Sequence, residues 1–261
     1  MATSVEVHNL TVTYGSAPVL WDIDFTLPSS KIIGIIGPNG SGKTTLLKSI
    51  MGLVDPASGY VKIFDKTLEE SREKIAYVPQ RESVDWDFPA NVYDVVMMGR
   101  YRKNNLFKRA TTADKEIVLD AIDKVGLTEF RNRQISQLSG GQQQRVFIAR
   151  ALAQKAEIYL MDEPFVGVDA ATENSILTLL QEMRSQGKTV LIIHHDLQTV
   201  SDYFDHLVLL NTRLVAEGSP QEVLTKENLS NAYGGQLTLL SKVVQLIKEK
   251  EHPIREKDSD L

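Results

Sequence analysis

The stretch Gly37-Pro38-Asn39-Gly40-Ser41-Gly42-Lys43-Thr44 constrains this chain more than any other. Its spacing, G-x-x-x-x-G-K-T, is that of a loop that cradles phosphate. The flanks supply the context the pattern needs. Lys31 to Ile36 is a short apolar, β-branched run and reads as a buried strand. Thr44 to Met51 carries apolar residues at helical spacing. The glycines let the backbone turn several N–H groups inward, and the helix adds the positive end of its dipole. In such a loop Lys43 reaches the β- and γ-phosphates of a nucleotide, and the Thr44 hydroxyl is a ligand for Mg²⁺. The chain is therefore expected to be an α/β protein.

Composition narrows the class. With 261 residues and a net charge of −5, the chain suits one large α/β domain, or a core with one inserted lobe. Mild acidity argues against a nucleic-acid binder held by bulk charge. The absence of cysteine excludes disulfides and thiolate metal sites. Met1 to Leu10 lacks the basic start and apolar run of a signal peptide. No stretch approaches the ~18 apolar residues of a membrane span, so any membrane association is expected to come through a partner.

Ahead of the loop, Val5 to Tyr14 and Val19 to Leu27 alternate apolar and polar residues around a Gly15-Ser16-Ala17-Pro18 turn. They predict a small antiparallel layer. Tyr14 either stacks on an adenine ring or is an ordinary strand-end aromatic. Gly59 to Phe64 predicts another hairpin strand. Ile75 to Gln80 predicts a core strand ending at Pro79, with Gln80 where the strand meets solvent. The Gln80 amide there either touches Mg²⁺ or a water, or closes the strand. From Ser83 to about Ala153 helical spacing takes over, at Val92 to Met98 and Ala113 to Val125, with Gly126 as a stop. This predicts a helical lobe inserted into the core. Arg100 to Asn105 forms a basic link within it. Trp86 and Phe88, set among charges in Asp85-Trp86-Asp87-Phe88-Pro89, form either a docking surface or part of the lobe's own core.

Ser139, Gly140, Gly141 and Gln142 precede the helical run Val146 to Leu152. A Ser-Gly-Gly turn at a helix start is either a second anion site or a plain cap. Two anion sites in one chain make sense if two copies face each other, each covering the phosphate bound by the other. Ile158 to Glu163 is a hydrophobic strand ending in two carboxylates, costly at a core edge without a purpose. Asp162 fits a Mg²⁺-organising aspartate and Glu163 a base that polarises water. Asp169 follows in a turn, before a helix from Ala170 to Arg184. Thr189 to Asp196 is a further buried strand ending in His194 and His195. A histidine there can hydrogen-bond a γ-phosphate, and no further ligands at metal spacing support a His-His metal site. His206 is read as structural. Leu207 to Leu210 and Leu214 to Gly218 predict a hairpin, and Pro220 opens a short helix. Lys248 to Leu261 is charge-rich and apolar-poor, and is expected to be a mobile tail.

Taken in order, Tyr14, Gly37 to Thr44, Gln80, Leu138 to Gln142, Ile158 to Glu163, Asp169 and His195 resemble the ATP-binding subunit of ABC transporters. Leu138-Ser139-Gly140-Gly141-Gln142 is the most specific piece. The resemblance runs to about residue 235. It implies a RecA-like P-loop NTPase core with an antiparallel β layer and an inserted helical lobe at about 83–153, followed by a C-terminal helix and charged tail over 236–261. It implies a head-to-tail homodimer with two ATP molecules and Mg²⁺ at the interface. Carried over, Tyr14 stacks on adenine, and Gly37, Pro38, Asn39, Gly40, Ser41, Gly42, Lys43, Thr44 and Thr45 hold phosphate and Mg²⁺. Gln80 senses nucleotide, is a Mg²⁺ ligand with Thr44 and Asp162, and faces the membrane partner. Ser139, Gly140, Gly141 and Gln142 complete the opposite site, together with Asp169. Glu163 is the catalytic base and His195, directly before Asp196, the switch on the γ-phosphate. Val166 departs from the small hydroxyl residue common in the family.

A narrower resemblance, from Gln80 through Trp86 to Gly99-Arg100-Tyr101 and again at His194 to Val200, points to the bacterial manganese, zinc and iron importers, manganese first. It implies an integral-membrane permease, an extracytoplasmic metal-binding protein, no nucleic acid, and a peripheral position on the cytoplasmic face of the inner membrane. A soluble ABC ATPase of DNA repair or translation is the main rival. Such proteins carry a long coiled-coil insert or tandem ATPase units, and this chain has neither.

Overall fold

Strand β3 (Ile32–Ile36) is buried along its whole length. In the computed structural model, which describes residues 2–101 and 110–234, the rest of the chain is arranged around it. It pairs in parallel with β8 (Thr189–Ile193) on one side and β9 (His206–Asn211) on the other. Beyond β8 lie β7 (Ile158–Asp162) and then β6 (Ile75–Val78), both parallel. Beyond β9, β10 (Arg213–Gly218) returns antiparallel as a hairpin. The order is β10-β9-β3-β8-β7-β6. Near-continuous apolar runs such as Ile32–Ile36 suit strands covered on both faces.

Strand alternation sorts the side chains into two cores. Ile33, Ile35, Ile158, Leu160, Leu191 and Ile193 enter one. That core is closed by α1 (Lys43–Ile50) and by a second sheet, β2 (Pro18–Pro28), β1 (Thr3–Thr13), β4 (Ser58–Ile63) and β5 (Lys66–Thr67), in that order and antiparallel. The expected antiparallel layer is thus present. Ile32, Tyr159, Met161, Val190 and Ile192 enter the other core. Helices α3 (Val92–Met98), α4 (Thr112–Lys124), α5 (Gly140–Ala153) and α6 (Ala170–Ser185) pack there, with Leu229 and Ala232 of α9 (Lys226–Tyr233). Short helices α2 (Leu68–Ser71), α7 (Val200–Tyr203) and α8 (Pro220–Val223) fill connections.

Helices α3, α4 and α5 form the inserted lobe between β6 and β7. Each starts at a capping box, from Asn91, Thr111 and Ser139 respectively, so local chemistry sets where each begins. One guanidinium fastens all three. Arg100 Nε donates to Asp114 Oδ1 at 2.8 Å and Nη1 to the Ala153 carbonyl at 2.7 Å, joining the end of α3, the start of α4 and the end of α5.

Among the described residues β6 is an edge strand of its sheet, because it pairs only with β7. Its open side is covered from the lobe, where Arg150 Nη2 donates to the Tyr77 carbonyl at 3.2 Å. Trp86 and Phe88 part company. The Trp86 ring meets Phe147 edge-on at 5.3 Å and its indole N–H donates to the Arg81 carbonyl, so it packs into the lobe, whereas Phe88 is 51% exposed. The expectations for 236–261 and for Arg102 to Asn105 lie outside the described residues.

Candidate functional site

The site is built on the carboxyl ends of the parallel strands, where an open α/β sheet leaves backbone and loop groups free to meet a ligand. β3 delivers Gly37 at φ +149°, and a Cβ there would run into the Leu210 carbonyl of β9. Gly42 sits at φ +96° with the Val19 carbonyl 2.9 Å from where its Cβ would be. Only glycine fits either place. The same approach brings the start of β2 against the loop. Tyr14 lies in the turn that leads into β2 and is 63% exposed. Ser41 is buried in the loop with its hydroxyl unpartnered.

Lys43 is 7% exposed. Its ammonium donates to the Gly37 and Pro38 carbonyls, each at 2.9 Å. Burial pulls its pKa down, and the charges of Glu163 and Asp162 push it back up. The three groups therefore belong to one electrostatic cluster. Asp162 ends β7 at 2% exposure, and its Oδ1 has no hydrogen-bond partner. Burial, then the neighbouring Glu163 charge, raises its pKa, while the Thr44 hydroxyl and the Lys48 and Lys43 ammonium groups oppose the rise. Glu163 follows with a left-handed backbone, φ +51°, a conformation rare outside glycine and asparagine. That turn points its carboxylate toward β6, where Gln80 Nε2 donates to Glu163 Oε2 at 3.2 Å. The phosphate loop, Asp162, Glu163 and Gln80 thus converge from three strands.

The two histidines after β8 diverge. His194 is 4% exposed, held by a 2.8 Å contact between Nε2 and Thr199 Oγ1, and ringed by Phe165, Tyr203 and Phe204. Burial, with help from His195, pushes its pKa down to about 4, so it is neutral near pH 7. His195 is exposed at the strand's end. His206 opens β9 half-buried, with its pKa lowered by burial.

The Ser139 turn stands apart. Ser139 caps α5, accepting from Gln142 N, and Gln142 Oε1 accepts from Ser139 N at 3.0 Å. Among the described residues no hydrogen bond joins this turn to the phosphate loop. Its neighbours are Arg81 and Thr172. A Cβ on Gly140 would fall 3.0 Å from Arg81 Cζ, and one on Gly141 would fall 3.3 Å from Thr172 Oγ1. Thr172 is in turn held by Asp169, which caps α6 by accepting from Thr172 N at 2.8 Å. Asp169 and the Ser139 turn therefore share one face through Thr172. Sequence reasoning gave no role to Arg81, which lies within the Gln80-to-Trp86 stretch, or to Thr172, which stands in no motif. Another signal was legible. Of the described α-helices, only α1 and α5 carry no acid in the first turn. Elsewhere Asp or Glu offsets the helix dipole, and these two starts are left positive for an anion.

No described group of three or more His, Asp or Glu side chains has the arrangement of a metal cluster. The donors near the phosphate loop are oxygens from Thr44, Asp162 and Gln80. That set suits Mg²⁺ held jointly with a phosphate, and the unpartnered Oδ1 of Asp162 is the atom such an ion would satisfy. No described helix is long and apolar enough to cross a membrane.

Comparison with known proteins identifies the family. A family described as "ABC transporter" matches residues 20–166. The chain is 57% identical over 247 residues to the manganese transport system ATP-binding protein MntB of Bacillus subtilis, covering 95% of this chain and 99% of that one. It is 53% identical over 237 residues to the zinc transport system ATP-binding protein TroB of Treponema pallidum, covering 91% and 89%. Among solved structures, it resembles the dimeric post-hydrolysis state of an ATP-binding cassette bound to ADP and phosphate. There the TM-score is 0.72 at 28% identity, covering 83% of this chain and 98% of that one.

Proposed function

This chain belongs to the ABC transporter family as an ATP-binding, ATP-hydrolysing subunit, and we propose that it drives an importer of divalent transition metal, manganese first. We take residues 1–235 as one ATPase domain with the lobe at about 83–153 inserted. In this reading two copies pair head to tail on the cytoplasmic face of the inner membrane, beneath an integral-membrane permease. An extracytoplasmic metal-binding protein delivers the cargo. The names of the manganese and zinc relatives support the cargo class. The observation that carries the paired arrangement is the presence of two acid-free helix starts in one chain with no hydrogen bond between their loops. Each is half of a site, completed by the other half on a second copy.

The chemistry is positioning and charge stabilisation. On ATP binding, the Lys43 ammonium exchanges the Gly37 and Pro38 carbonyls for the β- and γ-phosphates. Tyr14 stacks on the adenine. The loop from Gly37 to Thr45 supplies N–H donors and hydroxyls to phosphate oxygens. Thr44, Asp162 and Gln80 would hold Mg²⁺, which would supply positive charge against the phosphates. Ser139 and the N–H groups of Gly140, Gly141 and Gln142 reach the γ-phosphate of the partner's ATP, with Asp169 alongside. Glu163, held by Gln80, accepts a proton from the water whose oxygen attacks the γ-phosphorus. The bond to the β-phosphate oxygen breaks, ADP keeps that oxygen, and inorganic phosphate leaves. His195 holds the γ-phosphate by hydrogen bond until then. Loss of the shared phosphate separates the copies and moves the permease.

The test is Glu163→Gln. Retaining the amide contact to Gln80 but not the base, it should bind ATP, lose roughly 10²–10⁴-fold in turnover, and accumulate as an ATP-bound dimer by light scattering. Normal turnover would remove Glu163 from the base role.

A further inference from the structure

Arg81 directly follows Gln80, yet its guanidinium lies on the Ser139 turn of its own chain. Nε donates to Gln143 Oε1 at 3.1 Å, and the acceptor is itself fixed, because buried Gln143 donates through Nε2 to the Ile135 carbonyl at 3.1 Å. The Arg81 backbone is fixed as well, since its carbonyl accepts the Trp86 indole N–H at 2.9 Å. The Nη1 atom lies 3.1 Å from where a Cβ on Gly140 would stand and 3.6 Å from the equivalent point on Gly167. The cation therefore borders both the Ser139 turn and the turn that leads to Asp169. Among the described residues Arg81 has no carboxylate partner, its Nη groups make no hydrogen bond, and the first turn of α5 carries no acid.

A guanidinium parked at the positive end of a helix is unfavourable by itself. The arrangement is relieved when one anion is shared between the cation and the helix N–H groups. Planar, forked N–H donors suit a phosphate better than a point charge does. We propose that Arg81 is a phosphate ligand of the composite site: beside Ser139, its free Nη groups engage the γ-phosphate held by the partner copy's phosphate loop. This rests on the head-to-tail reading above. It adds a residue outside the Leu138–Gln142 motif, and it gives the residue after Gln80 a direct part in closing the dimer.

The experiment is ATP-driven dimerisation of the full chain carrying Glu163→Gln, with and without Arg81→Gln or Arg81→Lys, followed by analytical ultracentrifugation. Removing a hydrogen-bonded charge on the γ-phosphate should weaken the ATP dimer roughly 10- to 100-fold. Affinity of the single chain for ADP should stay unchanged, because the contact is with the γ-phosphate and comes from the other copy. Arg81→Lys, which keeps the charge without the fork, should recover part of the loss. An unchanged ATP dimer in Arg81→Gln overturns the proposal while leaving the paired reading intact. So does a loss shared equally by Arg81→Lys and accompanied by a fall in melting temperature, which would make Arg81 a prop for α5. If the Glu163→Gln parent itself stays single under saturating Mg-ATP beside its permease, the paired reading fails and the Arg81 assignment fails with it.

Discussion

Asp162 is where stability and function part at the scale of one residue. β7 carries this aspartate into the core edge at 2% exposure and leaves Oδ1 without a partner. A buried oxygen left unsatisfied costs about 1–3 kcal/mol, and more when it is charged. The Thr44 hydroxyl and the Lys43 and Lys48 charges offset part of that cost but leave Oδ1 unpartnered. Asp162→Asn should therefore stabilise the nucleotide-free protein by about 1–2 kcal/mol, raising the melting temperature by roughly 2–8 °C. The same change should abolish hydrolysis and the extra melting protection that Mg²⁺ gives over ATP alone. Calorimetry with and without Mg-ATP reads both. A variant less stable than the parent would mean that Asp162 is already satisfied. The carboxylate pair and Lys43 were legible in sequence because fixed local spacing defines them. The fates of the histidines were not. Strand alternation turns His194 inward and leaves His195 exposed, but which way a strand's last residues turn depends on its neighbours in the sheet.

Among the elements, the segment between β6 and α3 decides how the lobe is attached and what it presents. In the sequence Trp86 and Phe88 form a pair, because both are large aromatics among charges. Packing separates them: Trp86 is spent on Phe147 and the Arg81 carbonyl, and Phe88 remains 51% exposed. The two substitutions should then act differently. Trp86→Ala should lower stability by about 1–3 kcal/mol, less than a fully buried ring would cost because Trp86 is only partly buried. Phe88→Ala should leave stability within about 0.5 kcal/mol and instead weaken co-purification with the permease. Thermal melting and detergent pull-down separate these outcomes, and a Phe88→Ala protein that melts early would place that ring in the core after all. Most elements were readable locally: the strand–loop–helix unit, the helix at Val92–Met98, and the cap at Ser139 all arise from near neighbours in the chain. Sheet order is not readable in this way, and nothing within Ile75 to Gln80 marks β6 as the edge. Strand pairing is decided by contacts distant in sequence, and no local pattern reports which strand lacks a second neighbour.

At the scale of the molecule, the question is where the second half of each site comes from. The phosphate loop stands at the end of β3, and the Ser139 turn belongs to the lobe. Among the described residues no hydrogen bond joins the two, and in the proposed reading they are half-sites of complementary design. Symmetric pairing converts these into two whole ones, because an interface between identical copies always repeats twice. This makes a prediction that a self-contained site does not share. In the proposed pairing, Lys43→Ala damages a phosphate loop, and Ser139→Ala damages the turn set against the other copy's loop. Pairing a Lys43→Ala copy with a Ser139→Ala copy gathers both lesions into one site and leaves the other intact. Placing both changes on one copy and pairing it with an unaltered copy puts one lesion in each site. With Glu163→Gln throughout, the first mixture should retain about half the ATP per dimer held by the parent, and the second almost none. If each site were built within one chain, the pattern would invert, since the unaltered copy alone would keep a working site. Differential tagging of the two copies and counting of labelled ATP per purified pair reads the result. The inverted pattern would show that the serine turn and the phosphate loop serve the same chain.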